Sequence, residues 1–137
     1  MQGILDTLYS GLPILLGHFS IAILMLGLGI VLYLVITPVN EYRLIQQGNQ
    51  AAALTLGSAM LGITLPLAAA LGSSINFWDI VIWGSVAIIL QLLVFFLLDL
   101  ILRGLAERIK NEEMSAALIL GATKLSVALL NAAAIGY

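Results

Sequence analysis

The sequence predicts an all-α integral membrane protein whose four transmembrane helices form a tandem parallel repeat of two-helix units. Composition is the first observation behind this: of 137 residues, 62% are hydrophobic and 9% charged, with a mean hydropathy of +1.16. An ordinary soluble domain carries roughly 25% charged residues. The second is spacing, because the uncharged runs between the charges reach the ~20 mostly apolar residues a membrane helix needs. The third is that these runs are continuous, where strands of a membrane barrel would alternate polar and apolar residues. The same numbers exclude several function classes. A net charge of −2 leaves no basic surface for phosphates, so nucleic acid is not an expected partner. With no cysteine, disulfides, thiolate metal sites and thiol catalysis are ruled out.

The first uncharged run extends from Thr7 to Asn40. Its apolar centre, about 12–36, stops at Thr37-Pro38, because proline disfavours a helical residue before it and cannot donate a backbone bond. In the second run, Gln46 to Gln50 read as a polar loop or cap and about 51–71 as helix, ending at Gly72-Ser73-Ser74. Phe77, Trp78 and Trp83 stand where an aromatic belt would place them, and they open a third helix at about 78–102 that Arg103 closes. The fourth covers about 114–136, with Lys124 inside it and Tyr137 at the far interface. The whole chain, 1–137, reads as one membrane domain with repeat units at about 8–72 and 76–137.

The duplication rests on a shift of 64 residues, which lays Ala52-Ala53-Leu54 on Ala116-Ala117-Leu118 and Leu56-Gly57 on Leu120-Gly121, with 11 identities in a 26-residue window. Each unit holds two spans, so both copies start on the same side of the membrane. Inverted-repeat transporters, whose halves face opposite ways, are built differently. Orientation follows from the basic residues. Arg43 lies between the first two spans and Arg103, Arg108 and Lys110 between the last two, while both ends and the central turn have no Lys or Arg. Such loops are retained in the cytoplasm, so both termini should face outward. Asp6 and the lack of a basic start argue against a cleaved signal peptide.

Several polar or small residues inside the spans are candidate functional positions. Lys124 sits about ten residues into the fourth span, or ~15 Å deep at 1.5 Å per residue. Such an ammonium must be paired, hydrated or snorkelling. Gln91 is level with it, whereas Asp99 is nearer the cytoplasmic end. These three and Asn131 define a polar cluster or pathway. Pro66 should free the carbonyl of Gly62 and kink its helix unless Thr64 compensates. Ala53 with Gly57, Ser58 with Gly62, and Ala117 with Gly121 have the four-residue spacing that lets helices approach closely, either within one subunit or between subunits. His18 reads as an interfacial hydrogen-bonding residue, and Glu112-Glu113 as N-terminal capping of the fourth span.

The loop from Thr37 to Asn49 is rich in polar groups. Asn40 or Asn49 can cap short helices there, while Glu41 and Arg43 face water or a partner and Leu44 and Ile45 rest on the membrane. No catalytic constellation occurs: one histidine, no nucleophile elbow, no phosphate loop and no paired carboxylates within a span. The chain therefore reads as a non-enzyme without cofactor or metal.

The run Thr37-Pro38-x-Asn40-Glu41-x-x-Leu44-Ile45-x-x-Gly48-Asn49-x-Ala51-Ala52-Ala53, followed by Leu61-Gly62 and Pro66-Leu67, resembles the DUF350 family, the YjfL-like (UPF0719) bacterial inner-membrane proteins. Trp83-Gly84, Gln91 to Phe95 and Asn131-Ala132-Ala133 extend the likeness over nearly the whole chain. Lys124 and Ala128 depart from it, standing where a small or apolar residue and a glycine are expected. The resemblance implies a tandem two-helix repeat in the bacterial inner membrane and, from the genes that accompany its members, a subunit of an envelope-stress system. On that basis the expected function is a non-enzymatic scaffold that forms homo-oligomers among membrane lipids and presents its cytoplasmic loops to stress-system partners. It expects Lys124→Met to be tolerated and Gly57 and Gly121 to be sensitive. The alternative is a small oligomeric channel or transporter with a polar path near Gln91, Lys124 and Asn131.

Overall fold

The computed structural model describes residues 1–73 and 76–135. Within them the chain is helical and without strands: α1 (Gln2–Ile36), α2 (Glu41–Gln46), α3 (Gln50–Ser73), α4 (Phe77–Leu102), α5 (Leu105–Lys110) and α6 (Met114–Ile135). α1, α3, α4 and α6 are long and apolar enough to cross a membrane, and α2 and α5 are short helices in the two connections that join them pairwise. Most large apolar side chains on the outside of the bundle are exposed, as expected where lipid replaces water as the solvent. Ser74 and Tyr137, expected at a helix end and at an interface, lie outside the described residues.

α1 departs most from expectation. It begins at Gln2, about ten residues before the expected start, and continues through Pro13. Counting apolar residues finds the stretch that hydrocarbon can hold, whereas helix extends wherever backbone bonds close. At ~1.5 Å per residue its 35 residues reach ~52 Å, well past the ~30 Å hydrocarbon core. The segment before Pro13 is exposed throughout.

α3 and α6 make the most extensive helix contact in the molecule, and small residues allow it. Ala51, Ala52, Thr55, Ser58, Ala59 and Gly62 of α3 are buried, as are Ala116, Ala117, Gly121 and Ala128 of α6. A Cβ added at Gly121 would lie 2.6 Å from the Ser58 hydroxyl oxygen, so glycine is required for this approach. Gly57, its counterpart 64 residues earlier, has nothing within 4 Å of such a Cβ, and Ala53 is exposed. Ser58, Gly62, Ala117 and Gly121 are therefore occupied within one chain, while Ala53 and Gly57 remain on the outside. Pro66 is buried in the middle of α3. The Thr64 hydroxyl donates to the carbonyl of Met60, so it does not compensate the carbonyl of Gly62.

The two short helices end alike. After α2 the amide of Gly48 donates to the Ile45 carbonyl and that of Asn49 to Leu44, and after α5 Glu112 donates to Ile109 and Glu113 to Arg108, all at 2.9 Å. This paired pattern needs a left-handed residue just past the helix. Gly48 supplies it at φ 85°, and Glu112 at φ 59°. A glutamate in that conformation costs about 1 kcal/mol, and its carboxylate has a use there: Oε1 accepts from the amide of Gln50 at 2.9 Å. Glu112 thus caps α3, and Glu113 grips Arg108 at 2.8 and 3.0 Å. Neither side chain hydrogen-bonds to the first amides of α6, although both residues directly precede it, as the sequence places them. Hydrogen bonds from Arg108 hold the Glu113 carboxyl below the usual carboxylate range.

Candidate functional site

Where α1 ends, α2 folds back under the bundle and carries Glu41 inward. Asn40 begins the turn by accepting from the amide of Arg43 at 3.2 Å. Val39 and Glu41 are fully buried, whereas Asn40 and Arg43 are exposed. The Glu41 carboxylate thus faces the bundle. This overturns the expectation that Glu41 faces water or a partner; packing of Val39 into the core forces its neighbour two positions on to turn the same way.

Near Glu41, Lys124 is also fully buried. Its ammonium donates to the Tyr33 hydroxyl and to the Thr55 carbonyl at 3.3 Å. It also lies 4.1 Å from the centre of the Tyr33 ring and 5.8 Å from that of Phe95, within the range of cation–π attraction. The charge is therefore held by groups from α1, α3 and α4; Glu41 is near enough to feel it but beyond ion-pair distance. Neither Glu41 oxygen has a partner at hydrogen-bond geometry, yet the Tyr33 hydroxyl and the Lys124 charge are near enough to favour its ionised form. Burial acts more strongly than both and pushes the Glu41 carboxyl above the usual range.

Gln91 is buried and level with this site, as expected, but it meets the backbone of α6 rather than the ammonium. Its Nε2 donates to the Lys124 carbonyl at 3.2 Å, its Oε1 has no partner, and its amide sits on Gly62 with no room for a Cβ. The other two members of the expected cluster lie elsewhere. Asp99 accepts from the amide of Leu105 at 3.0 Å and so fixes the start of α5; the reverse turn at Arg103, with φ 57°, brings that amide back to it. Asn131 is about two turns further along α6 than Lys124, ~10 Å at 1.5 Å per residue, and half-buried. His18 packs edge-on against Phe77 at 5.1 Å between ring centres.

Asn49 joins the two connections. Its Oδ1 accepts from the amide of Ala52 at 2.9 Å, capping α3, while its Nδ2 donates to the carbonyls of Ile109 and Lys110 at 3.0 and 3.2 Å. With Leu105 and Ile109 fully buried beneath them, α2 and α5 form one platform on the end of the bundle.

The model of the family described as "Domain of Unknown Function (DUF350)" matches residues 7–135. The chain belongs to this family. It is 34% identical over 116 residues to the inner membrane protein YjfL of Escherichia coli K12, covering 85% of this chain and 88% of that protein. The same figures hold for YjfL of Escherichia coli O157:H7. No solved structure matches the chain. Within this membrane family, sequence reasoning left Tyr33, Thr55 and Phe95 out of the site and assigned Glu41 to the loop motif instead of the buried cluster. One signal could have found the burial of Glu41: the 64-residue shift lays Glu41 on Leu105, an apolar residue of the other connection and just as deeply buried.

Proposed function

We propose that this member of the family is a non-enzymatic, multi-pass subunit of the bacterial inner membrane, with both termini outside. In this reading it assembles with copies of itself and offers the platform of α2 and α5 to partner proteins of an envelope-stress system. The observation that carries it is the way that platform is fastened: Glu41, Val39, Leu105 and Ile109 are buried against the bundle, and Asn49 ties the two connections to each other. Connections that merely joined spans would not need this. The position of Arg43, Arg103, Arg108 and Lys110 in these connections supports a cytoplasmic placement. The inner-membrane location of YjfL supports the compartment.

Reconstitution in liposomes tests the reading against a channel. The Lys124 ammonium is committed to Tyr33 and Thr55, so wild-type protein should raise ion flux no more than empty vesicles do. Gly57→Leu, which meets open space inside the chain, should stay folded and lose its oligomer in cross-linking. Flux that depends on the protein, or an oligomer indifferent to Gly57→Leu, would overturn the reading. Because the chain has no cysteine, orientation can be checked in intact cells. Gln47→Cys should react with an impermeant maleimide only after lysis and Ser10→Cys before it; the reverse pattern would invert the proposed topology.

A further inference from the structure

The platform carries an open cleft of about 430 Å³ lined by Pro38, Asn40, Arg43, Leu44, Gln47 and Lys110. Its charge balance follows from where the acidic groups of this end are engaged. Glu41, two residues from Arg43, faces the bundle interior and is fully buried. Glu113 is ion-paired with Arg108, while Glu112 and Asp99 keep their charges but point them at the backbone amides of Gln50 and Leu105. Only Glu107 reaches into this area, at 3.6 Å from the Lys110 ammonium with both side chains at least half exposed, a contact water weakens to little net worth. Arg43 has no carboxylate at ion-pair distance among the described residues. The cleft is thus bordered by Arg43, without an ion-pair partner among the described residues, and by Lys110, whose partner Glu107 is exposed and weakly held. The side-chain amides of Asn40 and Gln47 add further donors.

Its position narrows the ligand. The cleft lies just past Ile36, where α1 ends, so it stands at headgroup level if α1 crosses the bilayer. Exposed Ile45 and half-buried Leu44 provide an apolar edge beside it. A guanidinium fork binds phosphate oxygens in pairs, and a lysine adds a mobile point charge. Basic pockets of this type at the end of membrane helices suit anionic lipid headgroups. We propose that the cleft between Arg43 and Lys110 binds the phosphate of an anionic phospholipid, with the acyl chains running along the outside of the bundle. This requires that the long helices span the membrane; it depends on neither the proposed partners nor the oligomer.

Delipidated protein in neutral detergent, titrated with dioleoyl phosphatidylglycerol or dioleoyl phosphatidylcholine and read by native mass spectrometry, tests the proposal. The anionic lipid should bind about tenfold more tightly than the zwitterionic one, and Arg43→Gln or Lys110→Gln should each remove most of that preference. Arg103→Gln, an exposed cation outside the cleft, should keep it. Both cleft residues are exposed enough for the variants to keep the parent's circular dichroism and unfolding midpoint, which separates lost binding from lost fold. Equal binding of the two lipids, or equal losses at Arg43 and Arg103, would overturn the proposal in favour of diffuse surface charge. Displacement of the lipid by millimolar inorganic phosphate would overturn the lipid assignment and leave a site for a soluble anion.

Discussion

Lys124→Met is expected to destabilise the bundle by about 1–3 kcal/mol, the scale for leaving buried acceptors without their donor. The tolerance of this change that a scaffold reading expects from the sequence gives way once Glu41 is placed near the lysine. Methionine fills similar space, but it removes the donor to Tyr33 and Thr55 and leaves a buried carboxylate with no positive neighbour. A second substitution separates charge from packing. Lys124→Met with Glu41→Leu, the residue found at the corresponding position 105, should recover most of the loss, since replacing a whole buried pair by apolar groups is often neutral or stabilising. Unfolding midpoints of the four proteins in one detergent give the coupling. Lys124→Met as stable as the parent, or a double variant no better than the worse single one, would show that the two residues do not act as a pair.

Gly62→Ala is the second large effect. The added Cβ would run into the amide carbon, nitrogen and oxygen of Gln91, a side chain that is 1% exposed. Overpacking of this kind costs about 1–3 kcal/mol, and displacing the amide forfeits its bond to the Lys124 carbonyl, about 1 kcal/mol more. Gln91→Ala should make room and suppress much of the cost in a double-mutant cycle. Additive losses would mean that Gly62 is needed for another reason. The same substitution at Gly57 is expected to leave the midpoint within about 0.5 kcal/mol, as for a site with no internal neighbour.

The four spans could be read from the sequence because hydrocarbon imposes a condition on every residue of a run, and the runs between Asp6, Glu41 and Trp78 are long. The depth of Lys124 and its level match with Gln91 followed from the helical rise alone. Glu41 could not be read this way, since a carboxylate in a polar connection ordinarily points at water. What turned it inward was burial of Val39 together with an ammonium arriving from a helix some eighty residues later, and no local pattern reports such a meeting. Asp99 misled for the converse reason. It has the right charge for Lys124, but the left-handed turn at Arg103 offers it a nearer amide. The early start of α1 escaped notice because Gln2 to Leu12 are helical without being apolar throughout.

The placement of the Lys124 contacts bears on the order in which the protein can be made. Tyr33, Glu41 and Thr55 all precede the turn into α4, so they emerge from the ribosome long before the helix that carries the ammonium. The last helix therefore arrives after every group that will surround its ammonium has been made. The converse holds for the first half, which must keep a carboxylate out of the hydrocarbon until that helix arrives. Severed between α3 and α4, the second half would keep Lys124 without Tyr33 and Thr55, which hold its ammonium, so the two pieces form one cooperative unit.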